Sequence, residues 1–244
     1  MTARSLLAFL FIQLVAQPAL ANPQSEALFK KGQEAFENQR YRDSMRCYKR
    51  ASRIDPADPK IYESLADVDL ILDDLDSSIR DATTALSINP KMPFALTIRA
   101  KAYFAKNHLE ACMSDLNKAI GSDPKYWEAY AMRSKLQCER KQWQPALLDC
   151  TKALDLRIKR DGANVSTSLY GDRGIILSRL NKWPAAIEDY TRAIRCEDDP
   201  NRLNRLYKDR ATCYEKIGRH DLAAKDIQRC NKSTRADWEM ILPN

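Results

Sequence analysis

The chain of 244 residues is 44% hydrophobic and 30% charged, which is too apolar for a disordered protein and long enough for one large or two small domains. Its 6 glycines and 11 prolines are too few for an all-β fold built on tight turns, so the composition favours helices. The formal net charge of +7 leaves an anionic surface open as a partner.

Residues 1–21 have the features of a secretory signal peptide. Arg4 gives a basic start, an apolar run extends from Leu6 to Ala16, and Pro18 precedes an Ala-Leu-Ala cleavage pattern. The run is well short of the roughly 20 residues that span a bilayer. We therefore expect export to the periplasm, the cell envelope or the medium, with cleavage before Asn22 and no transmembrane segment afterwards. Retention of the run as an uncleaved anchor is the alternative.

The rest of the chain repeats every 34 residues. Asp55-Pro56, Asn89-Pro90 and Asp123-Pro124 are spaced by this interval (89 − 55 and 123 − 89). Further copies follow at slightly longer spacing, which gives six units. The units begin at Ser25, Pro59, Pro93, Trp127, Thr167 and Asn204.

Each unit has the pattern of two antiparallel helices. The eighth place of a unit is always small and so is the twentieth, which lets two helices approach closely. The place between them that closes the turn, the seventeenth, is mostly bulky. The eighth places are Gly32, Ala66, Ala100, Ser134, Gly174 and Ala211; the twentieth are Ser44, Ser78, Cys112, Ala146, Ala186 and Ala223; the seventeenth are Tyr41, Leu75, Leu109, Trp143, Trp183 and His220.

This pattern resembles the tetratricopeptide repeat (TPR). The resemblance implies an all-α fold, a right-handed α-solenoid of about six helix-turn-helix repeats in which the first helix of each pair lines a concave groove. The predicted repeats are 25–58, 59–92, 93–126, 127–160, 167–200 and 204–232, followed by a C-terminal cap at 233–244. The fourth repeat lacks the closing proline, and insertions lie near Arg157 to Ser166 and Pro200 to Leu203.

Arginine and aspartate recur at fixed places in the later repeats. The seventh place is arginine in the last four repeats and the twenty-third is aspartate in the last five. The two places lie at similar height on neighbouring helices, within one repeat or between successive repeats. We expect a ladder of Arg–Asp pairs that fixes the stacking, and a structural role for these aspartates rather than a catalytic one.

The family resemblance also indicates a partner-binding groove. Its lining is expected at the second, fifth, ninth, twelfth and thirteenth places, where the first three repeats carry apolar residues with a charged rim. The alternative is that some of these side chains pack against a neighbouring repeat. The predicted groove residues are Phe29, Gln33, Phe36, Glu63, Asp67, Leu70, Ile71, Phe94, Lys101 and Phe104. The later groove is more polar and basic, with Lys135, Arg179, Arg205, Lys208 and Lys216.

Motifs for catalysis, cofactors or metals are not found in the sequence. The two histidines, His108 and His220, lie at turns and lack a partner at zinc-ligand spacing. We expect no catalytic residue, no cofactor and no metal site. Seven cysteines in an oxidising compartment could form disulfides, and Cys112 with Cys138 is the pair that helical height favours.

The sequence therefore predicts a non-enzymatic scaffold or adaptor that binds a partner protein or peptide in the concave groove outside the cytosol. The alternative function is a periplasmic or lumenal chaperone that holds unfolded clients on the same surface. Nucleic acid is not an expected partner. The basic C-terminal part could contact an anionic envelope surface.

Overall fold

The computed structural model describes residues 22–162 and 167–239, and in these ranges it contains twelve helices and no strand. This confirms the predicted all-α repeat fold. The predicted signal peptide, the inserted residues 163–166 and the last part of the predicted cap, 240–244, lie outside the described residues. None of the described helices is both long enough and apolar enough to cross a membrane.

The chain divides into two compact units, 22–90 and 91–239 in their described parts. The first contains two hairpins, α1 (Pro23–Glu37) with α2 (Tyr41–Ile54) and α3 (Pro59–Ile71) with α4 (Leu75–Ile88). The second contains four hairpins, whose helices are α5 (Pro93–Ala105), α6 (Leu109–Ser122), α7 (Trp127–Glu139), α8 (Trp143–Asp161), α9 (Thr167–Arg179), α10 (Trp183–Arg195), α11 (Pro200–Lys216) and α12 (His220–Glu239).

Helix boundaries follow the predicted period, with extensions at three places. Helix α8 runs on to Asp161 and α11 begins at Pro200, so parts of both inserted segments are helical. Helix α12 continues to Glu239, so the segment predicted to form a short capping helix from Ser233 extends the preceding helix instead. Local chemistry sets several starts: Asp58, Asp74 and Asp199 each accept a hydrogen bond from a first-turn amide, as N-caps do.

Small residues bring the two helices of a hairpin together. Ser78 and Ser134 each donate a hydroxyl hydrogen bond of 2.8 Å to a carbonyl across the hairpin, on Ala66 and Ala146 respectively. Where the eighth place is glycine, a tyrosine fills the space: a Cβ on Gly174 would lie 2.8 Å from Cε1 of Tyr190. A glycine on the first helix of a repeat is therefore matched by a large side chain on the second helix.

The turn inside every hairpin adopts the same left-handed conformation. The fifteenth place of each repeat has a positive φ, and only the last of the six is glycine. The six residues are Gln39 (φ 57°), Asp73 (62°), Asn107 (60°), Lys141 (57°), Asn181 (58°) and Gly218 (74°). This region is sterically unfavourable for residues with a Cβ, and among these residues asparagine and aspartate tolerate it best.

Lys141→Gly is expected to stabilise the fold by about 1 kcal/mol, because lysine gains nothing from the left-handed turn that offsets its steric cost. Asn107→Gly is the matched control and is expected to change stability by less, since asparagine tolerates this conformation. Urea unfolding of both variants measures the difference. An equal effect at the two sites would show that the turn does not discriminate between the side chains.

Candidate functional site

In the second unit, each of the four hairpins has one Arg–Asp pair that joins its two helices. Each arginine forms a two-pronged contact to the aspartate sixteen residues later, with N–O distances of 2.7 to 2.9 Å. The pairs are Arg99–Asp115, Arg133–Asp149, Arg173–Asp189 and Arg210–Asp226. The predicted ladder is present in this unit, and each of these ion pairs lies within one repeat.

Two of the arginines also bond to the preceding hairpin. The third guanidinium nitrogen of Arg133 donates to Asn117 at 2.7 Å, and that of Arg210 donates to Thr191 at 2.9 Å. The ion pair thus closes a hairpin while the remaining donor ties it to its neighbour. The aspartates are committed to these contacts, which supports their structural role.

The second hairpin has the aspartate of the ladder without its arginine. Leu65 occupies the arginine's place, and Asp81 lies near the buried Asp69 instead. Asp69 is 1% exposed, and neither of its carboxylate oxygens has a hydrogen-bond partner within the usual distance among the described residues. Burial, followed by the charge of Asp81, raises the pKa of Asp69 to about 7.

In the first unit, two predicted groove residues are used largely for packing. Phe29 and Phe36 are half-buried against the core cluster of Tyr48, Ile61 and neighbouring residues. The ring of Phe29 lies 5.3 Å from that of Tyr48, and Phe36 meets Tyr41 edge-on at 5.5 Å. Their apolar character is therefore explained in large part by packing within the first unit, above all within their own hairpin.

Two of the other predicted residues of this unit are more accessible. Gln33 and Ile71 are exposed, whereas Glu63, Asp67 and Leu70 are half-buried. Phe29 and Gln33 contribute to a cavity of about 420 Å³ that is otherwise mostly polar. The remaining lining is Asn22, Ser25, Glu26, Lys30, Asp55, Asp58 and Lys60.

In the second unit, the predicted residues lie on α5. Phe94 and Lys101 are exposed, and Phe104 is half-buried. The ammonium group of Lys135 on α7 lies 5.2 Å from the centre of the Phe104 ring, a cation–π contact between the first helices of successive hairpins. This contact covers one face of the aromatic ring and places Lys135 beside it.

A cavity of about 250 Å³ lies between α7 and α9, with α8 contributing to its lining. Its apolar residues include Ile175, Leu169 and Cys150, and its charged ones are Lys135, Glu139 and Asp172. Ala131, Ser134, Cys138 and Ile176 complete the lining. Several of these residues, Lys135 among them, occupy the ninth, twelfth and thirteenth places of their repeats.

An adjoining cavity of about 320 Å³ lies between α9 and α11 and shares Ile175 with the first. Arg179, Asp209 and Lys216 are its charged residues. Ser178, Trp183, Tyr190, Thr212 and Cys213 complete it. The two cavities follow one another along the first helices of the last three hairpins, and we call them together the distal groove.

Carboxylates and cations face each other along the distal groove. The surrounding protein raises the pKa of Asp172, and Lys135 and Arg202 oppose that shift. Asp209 has a raised pKa for the same reason, opposed by Arg205 and Arg179. Both acids thus lie in walls that exclude part of their water, close to positive charge. The groove can accept hydrogen bonds from a bound chain and pair with its carboxylates.

Burial lowers the reactivity of several cysteines. All seven lie in the described ranges and carry free thiols. Cys138 packs against a cluster that includes Cys150, and burial raises the pKa of Cys150 to about 12 and of Cys112 to about 11. Protonated thiols are poor nucleophiles. The pairing of Cys112 with Cys138 stays a prediction.

The groove places of the repeat also indicated the distal groove, but the residue types at those places made it less conspicuous. The same groove places that select Phe29 and Phe104 select Lys135, Cys138 and Ile175 in later repeats. Those places carry fewer aromatic residues, so a search for apolar lining favoured the earlier repeats. Within the described residues no group of three histidine, cysteine or acidic side chains could hold a metal ion.

Comparison with known proteins finds the repeat in two segments of the chain. The family model described as Tetratricopeptide repeat matches residues 25–58 and 95–126. Solved structures with the same fold include PilF of Pseudomonas aeruginosa, at 15% identity and a TM-score of 0.72 over 83% of this chain and 88% of that one. MamA is 20% identical, with a TM-score of 0.62 over 76% and 97%. YrrB, a TPR protein with an unusual peptide-binding site, is 14% identical, with a TM-score of 0.61 over 76% and 91%. No curated protein matches the sequence.

Proposed function

We propose that this chain is a tetratricopeptide-repeat protein, a non-enzymatic scaffold that binds a peptide segment of a partner protein in its distal groove, outside the cytosol. The two adjoining cavities between α7, α9 and α11 carry the proposal. The TPR fold is that of a protein–protein interaction scaffold. Export is supported by the basic start, apolar run and cleavage pattern of residues 1–21.

The chemistry of the groove indicates the kind of peptide. Each cavity has room for an apolar side chain, and Ile175 lies between them with 39% of its surface exposed. Lys135, Arg179 and Lys216 provide donors for carboxylates of the peptide. Asp172 and Asp209 provide acceptors for its amides or amines. The groove therefore suits an extended or helical segment with two spaced apolar side chains and acidic neighbours.

A chaperone is the second function that the sequence left open. A surface that holds unfolded clients needs a contiguous apolar patch. In the distal groove the apolar residues are interleaved with Lys135, Asp172 and Arg179, which favours a defined segment over generic clients. Suppression of aggregation of an unfolded client protein would support the chaperone and count against the scaffold.

Ile175→Glu is expected to weaken partner binding at least tenfold, about 1.4 kcal/mol, because it places a charge where both cavities meet. The partner is first captured from the envelope fraction and its binding is then measured by calorimetry. Leu148→Glu is the matched control, since Leu148 is 73% exposed and lines neither cavity. Phe36 is a poor choice for this test because it packs against Tyr41.

The two variants separate the groove from general damage. Equal binding by Ile175→Glu and the parent chain, with both folded by circular dichroism, would contradict the distal groove as the site. Loss of binding in Leu148→Glu as well would indicate an effect of surface charge rather than of the groove.

A further inference from the structure

Helix α2 carries five cations on one exposed face. Arg42, Arg46, Lys49, Arg50 and Arg53 are all exposed, and at 3.6 residues per turn they fall within an arc of about 100° over a length of about 16 Å. We call these five residues the basic stripe. The only acid of the helix, Asp43, is half-buried at the edge of the stripe and pairs with Arg46.

The repeat scaffold does not require this charge. The same five places hold one cation and one acid in each of the next three repeats, so their net charge there is zero. The equivalent residues are Asp76, Arg80, Thr83, Thr84 and Ser87; then Glu110, Ser114, Asn117, Lys118 and Gly121; then Gln144, Leu148, Thr151, Lys152 and Asp155. The fifth and sixth repeats carry net charges of +1 and +2 at these places. A solvated face at these places therefore needs a net charge of no more than +2, and the five cations of α2 call for another explanation.

The stripe lacks the features with which protein or single-stranded nucleic-acid partners are held. Tyr41, Met45, Tyr48 and Ala51 of α2 pack in the hydrophobic core. Ile54, with 36% of its surface exposed, is the last residue of the helix and lies outside the arc of the five cations. Protein interfaces depend on buried aromatic or apolar anchors, and single-stranded nucleic acid is held by stacking on aromatic rings. A surface of anionic lipid headgroups needs only cations that face one way.

We propose that the basic stripe is an electrostatic contact for a membrane surface that contains anionic phospholipid. The phosphate groups pair with the five cations without insertion of side chains into the acyl region. The prediction from sequence located an anionic contact in the basic C-terminal part, whereas this proposal rests on the five exposed cations of α2. The proposal is independent of the distal groove, which lies in the other unit.

Binding to vesicles tests the proposal. The full chain is titrated with vesicles of equal parts phosphatidylcholine and phosphatidylglycerol and with vesicles of phosphatidylcholine alone, at low and at high salt. The variant combines Arg42→Gln, Arg50→Gln and Arg53→Gln and spares Lys49, which lies near Asp69. A matched variant combines Lys118→Gln, Lys152→Gln and Lys225→Gln, which removes the same charge from exposed places on three other hairpins. All proteins carry the same residues 1–21, so any binding by the apolar run cancels.

We expect the parent chain to bind the anionic vesicles and to be released by salt. The α2 variant should bind them about 100-fold more weakly, about fivefold for each cation removed, whereas the matched variant should lose no more than a few-fold. Equal losses in the two variants would overturn the proposal, as would equal binding of the parent to neutral vesicles. Tighter binding of the parent to duplex DNA than to anionic vesicles would also overturn the choice of lipid.

Discussion

Arg173→Met is expected to lower the free energy of unfolding by about 3–5 kcal/mol, because it leaves the carboxylate of Asp189 buried without its partner. Asp189 has only 4% of its side chain exposed, and both its oxygens accept from Arg173. Methionine keeps most of the aliphatic volume, so the cost reports the stranded charge rather than a cavity. Urea unfolding followed by tryptophan fluorescence measures it in the second unit, which contains all four tryptophans.

Two comparisons show whether the cost comes from the stranded charge. The same substitution at Arg192, which pairs with Glu188 on the surface, is expected to cost less than about 1 kcal/mol. Adding Asp189→Leu to Arg173→Met should recover most of the loss, since an apolar pair often replaces a buried ion pair without penalty. A double variant as unstable as Arg173→Met would show that the pair is needed for its geometry.

Asp69→Asn is expected to stabilise the first unit by about 2 kcal/mol at slightly alkaline pH and to change little in acid. In the folded chain the pKa of Asp69 is raised to about 7 by burial and by Asp81, whereas in the unfolded chain it has its ordinary value near 4. Folded protein thus holds the proton more tightly. The stability that depends on the protonated carboxyl is present below about pH 4 and is lost as the pH rises through about 7.

The charges around the carboxyl come from three elements. Lys49 on α2 opposes the shift, Asp74 in the turn reinforces it, and Arg80 on α4 acts on Asp81. Urea unfolding followed by ellipticity, at about pH 5 and about pH 8, measures the stability of the parent and of Asp69→Asn. Asp76→Asn, an exposed acid on α4, is the control. A parent chain equally stable at both pH values would contradict the expectation, and so would an equal gain in the control.

The ladder was predictable from the sequence, and its detailed geometry was not. The recurrence of arginine and aspartate at fixed places required that they meet, as Arg173 and Asp189 do. The arginine lies at the same height along the helices as the aspartate of its own repeat and as that of the neighbouring repeat. The sequence pattern alone therefore allowed both pairings. The unmatched Asp81 was visible as a gap at Leu65. The proximity of Asp81 to Asp69 could not be predicted, because the place that Asp69 occupies is not acidic in the other repeats.

The groove shows a different limit. A family place predicts which helix face a residue occupies, and Phe29, Phe104 and Lys135 do occupy the expected helices. Whether the side chain is accessible depends on how it packs against its own hairpin and the next one, which sequence spacing does not encode. Phe36 is half-buried by Tyr41 from its own hairpin. The small side chains Ala131 and Cys138, which a search for bulky residues passes over, help to open a cavity.

Because each ladder pair joins residues only sixteen positions apart, these two-pronged ion pairs of the second unit can form before any later repeat exists. A fold built from such local contacts has a low contact order, and such folds form quickly. Each hairpin can therefore close on its own ion pair as soon as its second helix is made, and the bonds from Arg133 and Arg210 to the preceding hairpin then add it to those already in place. The order of synthesis is in this way also a workable order of assembly.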